Sequence, residues 1–201
     1  VNSAKSKVAI SDQIKILFGA LNRQNDWRPW IDTLNSIFSK NPSKWYFEVV
    51  HDRDFYEQLN LPVDQKKFTP LCVYDEYLKI MSRCDVSFMP LENNIFNNCK
   101  SDLKAVQAAS YSLAILSTPV VYSRSFVNQK TAAFFNSKEE LFEILNTWSD
   151  NPELIRNIGR NAQRYVALNR LYCNQIDKKI ESFIDLWARK DSINQELLKR
   201  I

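Results

Sequence analysis

The residues best suited to chemistry lie in the polar segment PLENNIFNNCKSDLKAVQAA, residues 90–109. Asn97, Lys100 and Ser101 come just before a stretch with helical spacing, so we expect them at the start of a helix. A helix N-terminus offers unpaired N–H groups and the positive end of the helix dipole, which together form an anion site. Lys100 adds a full positive charge. The segment therefore predicts a site for a phosphate-bearing ligand.

Two further residues follow Lys100 at helical spacing. Lys104 and Gln107 stand four and seven positions later, and such steps place side chains on one face of a helix. We expect this face to meet the ligand. Three other residues form a stripe that we expect to face the sheet: Leu103, Val106 and Ser110. The alternative is that both lysines only solvate the exposed side of a surface helix.

A second polar loop, GALNRQNDWRP, runs from Gly19 to Pro29 after the first apolar run. A glycine allows the close backbone approach that a diphosphate requires. Asn22 supplies an amide donor near the turn, and Arg23 can bind phosphate oxygens with both arms of its guanidinium. The alternative is an ordinary turn in which a strand-ending glycine lies near an arginine.

Acid–base and metal chemistry have few candidates. Glu92 and Asp52 are the nearest carboxylates for an acid or a base, and neither has a recognisable partner. Glu92 is equally compatible with a plain surface carboxylate. The four cysteines form no CxxC pair and His51 is the one histidine, so we predict no metal site and reduced thiols.

Charge and composition limit the partners. The chain carries 27 basic and 23 acidic residues, a net charge of +4, which permits an anionic ligand but is too small to indicate nucleic acid. No basic stripe interleaved with aromatic residues is present, which argues against DNA binding. Hydrophobic residues make up 45% of the 201 positions, enough for one core and so for one domain over residues 1–201.

The ends of the chain and its apolar runs predict a location. No run approaches the about 20 apolar residues that a membrane span needs, and residues 1–12, expected to be flexible, contain no signal-peptide stretch. We therefore expect a cytoplasmic protein. Basic residues in the expected helical tail, residues 190–201, allow peripheral contact with the inner face of a membrane; a solvated helix end is the alternative.

Short apolar runs alternate with amphipathic segments, which is the order of an α/β sheet. The predicted strands are Ile14–Gly19, Trp45–Val50, Lys67–Val73, Asp85–Pro90, Leu113–Thr118 and Thr131–Asn136. The predicted helices include one starting near Pro29, Asp75–Ser82 and Ser101–Ser112. The last predicted helix has an apolar stripe formed by Ile176, Ile180, Phe183, Ile184 and Trp187.

These elements predict a Rossmann-like, doubly wound, mostly parallel sheet with helices on both faces and a helical C-terminal cap. In such a sheet the ligand binds beyond the carboxyl ends of the strands. Both polar loops follow strands at that edge, so we expect them to lie close together.

The segment PLENNIFNNCKSDLKAVQAASYSLAILSTPVVY resembles the motif of bacterial GT-B glycosyltransferases of the large retaining family four, especially enzymes of O-antigen and other cell-surface glycans. In these enzymes the pattern is PLE, then FN, KS, a Lys and a Glu, followed by a strand and PVVY. The opening ILFGALNRQNDW resembles the first strand and loop of their donor domain. The two matches bracket residues 16–122.

The resemblance implies that the chain is the C-terminal, donor-binding half of such an enzyme, and that a separate N-terminal domain supplies most of the acceptor site. It implies a UDP- or GDP-linked sugar, a glycan, lipid or protein acceptor, transfer with retention, and no metal or other cofactor. By position, Lys100 and Ser101 would face the diphosphate and sugar, and Arg23 would hold phosphate. Glu92, Asn93 and Phe96 would reach the transferred sugar. Base identity would be read near Thr69, largely through backbone.

Several positions depart from the family pattern. Gln107 stands where a glutamate usually binds the ribose hydroxyls, and an amide offers one acceptor oxygen without charge. The chain has two glycines, Gly19 and Gly159. A degenerate, non-catalytic binding or regulatory module is therefore the alternative function. A phosphorelay receiver is disfavoured because only Asp26 follows the first strand, where an acidic pair would be needed.

Overall fold

The computed structural model describes residues 13–199. Residues 1–12, expected to be flexible, and residues 200–201 of the expected tail lie outside the described residues. The chain divides into two compact units: the first ends at Arg164 and the second begins at Tyr165.

The first unit is built on a parallel sheet. In residues 13–199 six strands form one sheet in the order β3-β2-β1-β4-β5-β6, and every neighbouring pair is parallel. The strands are β1 Ile14–Gly19, β2 Trp45–Val50, β3 Lys66–Thr69, β4 Val86–Phe88, β5 Ala114–Ser117 and β6 Ala133–Phe134. The order reverses between β1 and β4, so the crevice at their carboxyl ends is the expected ligand position.

Residues 13–199 contain ten α-helices, of which the last two belong to the second unit. The ten helices are α1 Gln24–Trp27, α2 Ile31–Phe38, α3 Arg53–Gln58, α4 Tyr74–Ser82, α5 Ile95–Asn98, α6 Leu103–Ser110, α7 Lys138–Asp150, α8 Glu153–Asn169, α9 Ile176–Ala188 and α10 Lys190–Leu198. The predicted Rossmann-like α/β class is confirmed. Within the described part of the chain, no helix is both long and apolar enough to cross a membrane.

An aromatic cluster fills the core beneath the carboxyl ends of the strands. The Phe18 and Phe55 ring centroids lie 3.9 Å apart, and the Trp27 ring packs against Phe55 at 5.3 Å. Trp27 is fully buried although it belongs to the loop after β1. Its Nε1 donates to Asp52 Oδ2 at 3.0 Å. This anchor holds the short helix α1 in place above the sheet.

Several element boundaries differ from the sequence prediction; strands β4, β5 and β6, for example, are each shorter than predicted. Strand β3 ends at Thr69 because Pro70 has no N–H to donate to a ladder. The two predicted polar loops contain the short helices α1 and α5. Helix α6 begins at Leu103 and not at Ser101.

Helix α6 is also rotated relative to the prediction. It buries Ala105, Ala108 and Ala109, whereas Leu103 is 59% exposed. The small alanines allow the helix to pack closely, and this close packing decides which face is buried. The expectation that Leu103, Val106 and Ser110 face the sheet is therefore wrong.

The second compact unit contains α9 and α10. The apolar stripe predicted on α9 is present, but four of its members are exposed: Ile180, Phe183, Ile184 and Trp187. In the predicted tail, helix α10 ends at Leu198.

Candidate functional site

The candidate site lies at the switch point of the sheet, where the loops after β1 and β4 meet. The loop after β4 is held from β5: Thr118 Oγ1 contacts both the N–H and the carbonyl oxygen of Leu91 at 2.8 Å. The loop after β1 is held by the buried Trp27. Both loops are thus fixed by the core before any ligand arrives.

Asp26 joins the two loops. It is 5% exposed, and its Oδ1 accepts from the Glu92 N–H at 2.7 Å and from Asn97 Nδ2 at 2.9 Å. Asn97 Nδ2 also donates to the Glu92 carbonyl oxygen at 2.8 Å. A buried carboxylate needs such donors because desolvation disfavours its charge. One side chain therefore sets the spacing between the loops.

Two cations lie beside this carboxylate and share one aromatic ring. The Arg23 Nε is 3.9 Å from Asp26 Oδ2, and its guanidinium lies 5.6 Å from the Phe96 ring centroid. The Lys100 Nζ lies 4.7 Å from the same centroid and donates to Asn97 Oδ1. The structure thus brings together Arg23 and Lys100, which lie 77 positions apart in the sequence.

Lys104 is the third cation of the cluster. Its Nζ donates to the Gly19 carbonyl oxygen at the end of β1. Burial, with repulsion from Arg23 and Lys100, lowers the pKa of Lys104 to about 8, and Asp26 opposes this shift. Burial also lowers the pKa of Lys100, and again Arg23 adds to the shift. Three cations therefore face one buried carboxylate, which leaves an excess of positive charge.

In the structure, the glycine at position 19 is explained by packing against a neighbouring ring and not by the predicted approach of a diphosphate. A Cβ at this position would lie 3.0 Å from Tyr77 Cε2, so the glycine makes room for the Tyr77 ring. Its carbonyl oxygen serves Lys104. Asn22 is exposed and has φ 52°, a left-handed conformation that asparagine tolerates well. It lines the smaller of two neighbouring clefts.

The predicted single face of Lys100, Lys104 and Gln107 is wrong. Asp102 is the N-cap of α6, so Lys100 precedes the helix and only the other two belong to it. Gln107 Nε2 donates to the Tyr74 hydroxyl at 2.7 Å. The Asp102 side chain makes no capping hydrogen bond to α6, which leaves the first-turn N–H groups without a side-chain cap.

Ser101 and Thr69 take no part in the network around Asp26. Ser101 is exposed, and within residues 13–199 its side chain makes no hydrogen bond. Thr69 ends β3, and its carbonyl oxygen accepts from the His51 N–H at 2.8 Å. The structure therefore groups Arg23, Lys100 and Lys104 but leaves these two polar residues apart from them.

Glu92 lines both of two neighbouring clefts. Its carboxylate is exposed and its Oε2 accepts from Asn94 Nδ2 at 2.9 Å. The smaller cleft, about 220 Å³, is lined by Arg23, Phe96 and Asn97 among others. The larger, about 550 Å³, opens toward the loop after β5. Asn25, Asp26 and Glu92 line both.

Asp52 and Asp54 have the spacing of an Asp-x-Asp pair, a pattern of metal-dependent sugar transferases, but both carboxylates are engaged outside the network around Asp26. Asp52 Oδ1 accepts from the Phe55 N–H and caps α3, while its Oδ2 accepts from Trp27. Asp54 Oδ2 accepts from Gln24 Nε2 at 3.3 Å. Among the described residues, no group of three or more His, Cys, Asp and Glu side chains is arranged to hold a metal ion.

Two members of the cluster, Asp26 and Phe96, have no predicted role in binding charge, although the family resemblance places Phe96 near the transferred sugar. Asp26 reaches Glu92 and Asn97 across 66 and 71 positions, so no local spacing reveals it. Phe96 is 65% exposed, and an exposed aromatic residue between two polar stretches is the signal that marks it.

A parallel sheet whose switch-point crevice carries an excess of positive charge defines an α/β fold suited to phosphate-bearing ligands. The sequence profile of the glycosyl transferase-like family matches residues 28–181. The chain belongs to this family. Its solved structural neighbours include glycosyltransferases, and the likeness to them concerns the fold.

Three solved structures illustrate the likeness. The C-terminal domain of a glycosyl transferase group 1 family protein, LpcC, from Francisella tularensis is 17% identical with a TM-score of 0.61, covering 78% of this chain and 85% of that one. WaaG, a glycosyltransferase involved in lipopolysaccharide biosynthesis, is 18% identical with a TM-score of 0.65 and coverages of 87% and 48%. HepE from Anabaena, solved with UDP-glucose, is 16% identical with a TM-score of 0.62 and coverages of 86% and 48%.

The chain thus spans about half the length of WaaG and of HepE. At these identities the likeness establishes the fold. No curated protein sequence matches the chain significantly.

Proposed function

We propose that this chain is the C-terminal, nucleotide-sugar-binding half of a retaining GT-B glycosyltransferase of family four type that works on cell-surface glycans such as O-antigen. The carrying observation is the convergence of Arg23, Lys100 and Lys104 at the switch point. Two similar proteins support it: HepE was solved with UDP-glucose, and WaaG is involved in lipopolysaccharide biosynthesis.

The cluster favours a diphosphate over its present contacts. Lys100 and Lys104 donate to neutral oxygens, those of Asn97 and Gly19, and a hydrogen bond with one charged partner contributes about 1.5–3 kcal/mol. Unit charges of opposite sign about 4 Å apart near a protein surface attract by about 4 kcal/mol. A phosphate oxygen therefore displaces the amide and carbonyl oxygens, and the positive charge holds it.

The same cations serve the reaction. Negative charge builds on the leaving diphosphate as the bond to the sugar breaks, and donors already aimed at that charge lower the barrier. Lys100 and Arg23 fill this role without a metal ion or other cofactor. Glu92, which lines both clefts, is the carboxylate that we expect to act on the transferred sugar.

Partners and location follow from the same proposal. An N-terminal domain or a partner chain completes the acceptor site for a glycan, lipid or protein, and Ser101, Thr69 and Gln107 contact the sugar, base and ribose of a UDP- or GDP-linked donor. The protein acts in the cytoplasm, with peripheral contact to the inner face of the membrane through its C-terminal tail.

Calorimetric titration with UDP, GDP and their hexose conjugates tests the donor site. Lys100→Ala removes a charge-assisted contact and should weaken binding at least about tenfold. Lys79→Ala is the matched control, because Lys79 is an exposed lysine in the last turn of α4, away from the carboxyl edge. Equal affinity for both variants, or no binding across the panel, contradicts the proposal.

A non-catalytic binding module is the second candidate, and Gln107 favours it. The Gln107 amide nitrogen is engaged by Tyr74, which leaves one oxygen without charge for the ribose. Donor binding without hydrolysis or transfer, and without activity on Gln107→Glu substitution, would select the module. Activity gained in Gln107→Glu would show that the catalytic frame is intact.

A further inference from the structure

The larger cleft lies beside the cation cluster within the first compact unit. Its volume of about 550 Å³ falls in the range of small-molecule sites. It is bounded by the loop after β1 at Asn25 and Trp30, the loop after β4 at Asn93, and the loop after β5 at Ser123. The cleft therefore continues from the phosphate-binding side toward β5 and β6.

The chemistry of this cleft differs from that of the cation cluster. Four amide side chains line it, and among its described lining residues none is Lys or Arg. Its charged residues are Asp26 and Glu92, and Asp26 is already occupied by Glu92 N–H, Asn97 and Arg23. The cleft thus suits an uncharged, hydrogen-bonding ligand and repels an acidic one.

Two of the four amides, Asn25 and Asn93, have donor groups available to such a ligand, whereas the Asn98 and Asn136 nitrogens already donate within the protein. Within residues 13–199 no hydrogen bond engages the Asn25 side chain, and Asn93 uses only its Oδ1, which accepts from Asn98 Nδ2 at 2.9 Å. An amide both donates and accepts, which matches the neighbouring hydroxyls of a sugar. Trp30 is held edge-on against Phe135 at 4.8 Å and offers a fixed apolar surface for the C–H face of a ring.

We infer that this cleft binds an uncharged hexose unit and discriminates against acidic sugars. The inference rests on the proposed function, because the hexose is either the sugar of the donor or a unit of the acceptor glycan. Asn25 and Asn93 hydrogen-bond its hydroxyls. The exposed Glu92, which lines the cleft, disfavours a carboxylate on the sugar.

Saturation-transfer NMR on the whole chain tests the cleft with UDP-glucose and with methyl α-glucoside as probes. Sugar protons should receive saturation, and Asn25→Ala or Asn93→Ala should weaken sugar binding about three- to tenfold. Asn60→Ala, an exposed amide outside the cleft, is the matched control. Equal saturation in all three variants overturns the inference.

Charge discrimination is measured by calorimetry. A sugar carboxylate about 5 Å from Glu92 in water should weaken binding about fourfold, so UDP-glucuronate should bind less tightly than UDP-glucose. Glu92→Gln should bring the two affinities together. Tighter binding of UDP-glucuronate in the unchanged chain would refute the discrimination.

Two further comparisons show whether the hexose belongs to the donor or to the acceptor, and whether the proposed hexose cleft or the proposed donor site is wrong. If methyl α-glucoside saturation disappears when UDP-glucose is bound, the hexose is the donor's; if it persists, the cleft takes an acceptor unit. UDP binding without sugar contact at Asn25 or Asn93 overturns this inference alone. Sugar contact without any UDP binding overturns the proposed donor site and leaves the cleft standing.

Discussion

Raising the pH should weaken donor binding through Lys104. The Lys104 ammonium is buried against the Gly19 carbonyl oxygen, and its pKa is lowered to about 8 by burial and by its cationic neighbours. An anion binds the protonated form preferentially, so affinity is highest below pH 8 and falls as the pH rises through this pKa. The folding stability of the free protein changes with pH in the opposite direction to donor affinity. Because the pKa of Lys104 is lower in the folded than in the unfolded protein, folding stability increases between about pH 8 and pH 10.5.

The magnitude follows from the fraction of protein that carries the charge. With a pKa of about 8, Lys104 is about nine-tenths protonated at pH 7 and about one-quarter protonated at pH 8.5. If only the protonated form binds, the apparent Kd rises about fourfold over this interval. Binding near pH 8 should also take up about half a proton, because the diphosphate raises the pKa of the ammonium.

Calorimetry with UDP-glucose in buffers of different ionisation enthalpy measures both quantities. Lys104→Arg keeps the charge over this range and should lose the pH dependence, whereas Lys104→Met should bind weakly at every pH. Titration of the ligand itself is the same for all variants and is removed by the comparison. A Kd that stays constant from pH 7 to pH 8.5, or that changes equally in Lys104→Arg, would refute the reasoning.

Three other substitutions should have distinct outcomes. Asp26→Ala leaves the N–H donors of Glu92 and Asn97 without a buried acceptor and should cost about 2–4 kcal/mol of unfolding free energy in urea titrations. Phe96→Ala should leave thermal stability nearly unchanged, because the ring is 65% exposed, while weakening UDP binding about two- to fivefold through the lost cation–π contacts. Gly19→Ala places a methyl group 3.0 Å from Cε2 of the half-buried Tyr77 ring and should lower the unfolding free energy by about 1–3 kcal/mol; a variant as stable as the parent would contradict this packing.

The fold was largely predictable from the sequence because its elements depend on local patterns. Strands β1 and β2 match their predicted limits, Ile14–Gly19 and Trp45–Val50, since a parallel strand buried on both faces gives a continuous apolar run. Helix α6 shows the limit of such patterns. Its register was set by close packing of alanines, and small residues contribute little to an apolar stripe.

The candidate site was predictable in part. Arg23 and Lys100 were expected to meet because both follow strands at one edge of the sheet, and the structure brings them onto the same ring. The role of Asp26 depends on a contact across 66 positions, which no spacing rule contains. Helix α6 begins after Asp102, which is its N-cap. Tertiary packing decides which of several neighbouring residues takes this position, so local sequence does not reveal it.

The most direct measurement is a crystal structure of the chain with UDP or GDP bound. We predict that the diphosphate lies between the Arg23 guanidinium and Lys100 Nζ, within hydrogen-bond distance of both, with Lys100 released from Asn97 and Asp26 still bonded to the Glu92 N–H. A diphosphate bound elsewhere, while Lys100 keeps its contact with Asn97, would contradict the proposed donor site.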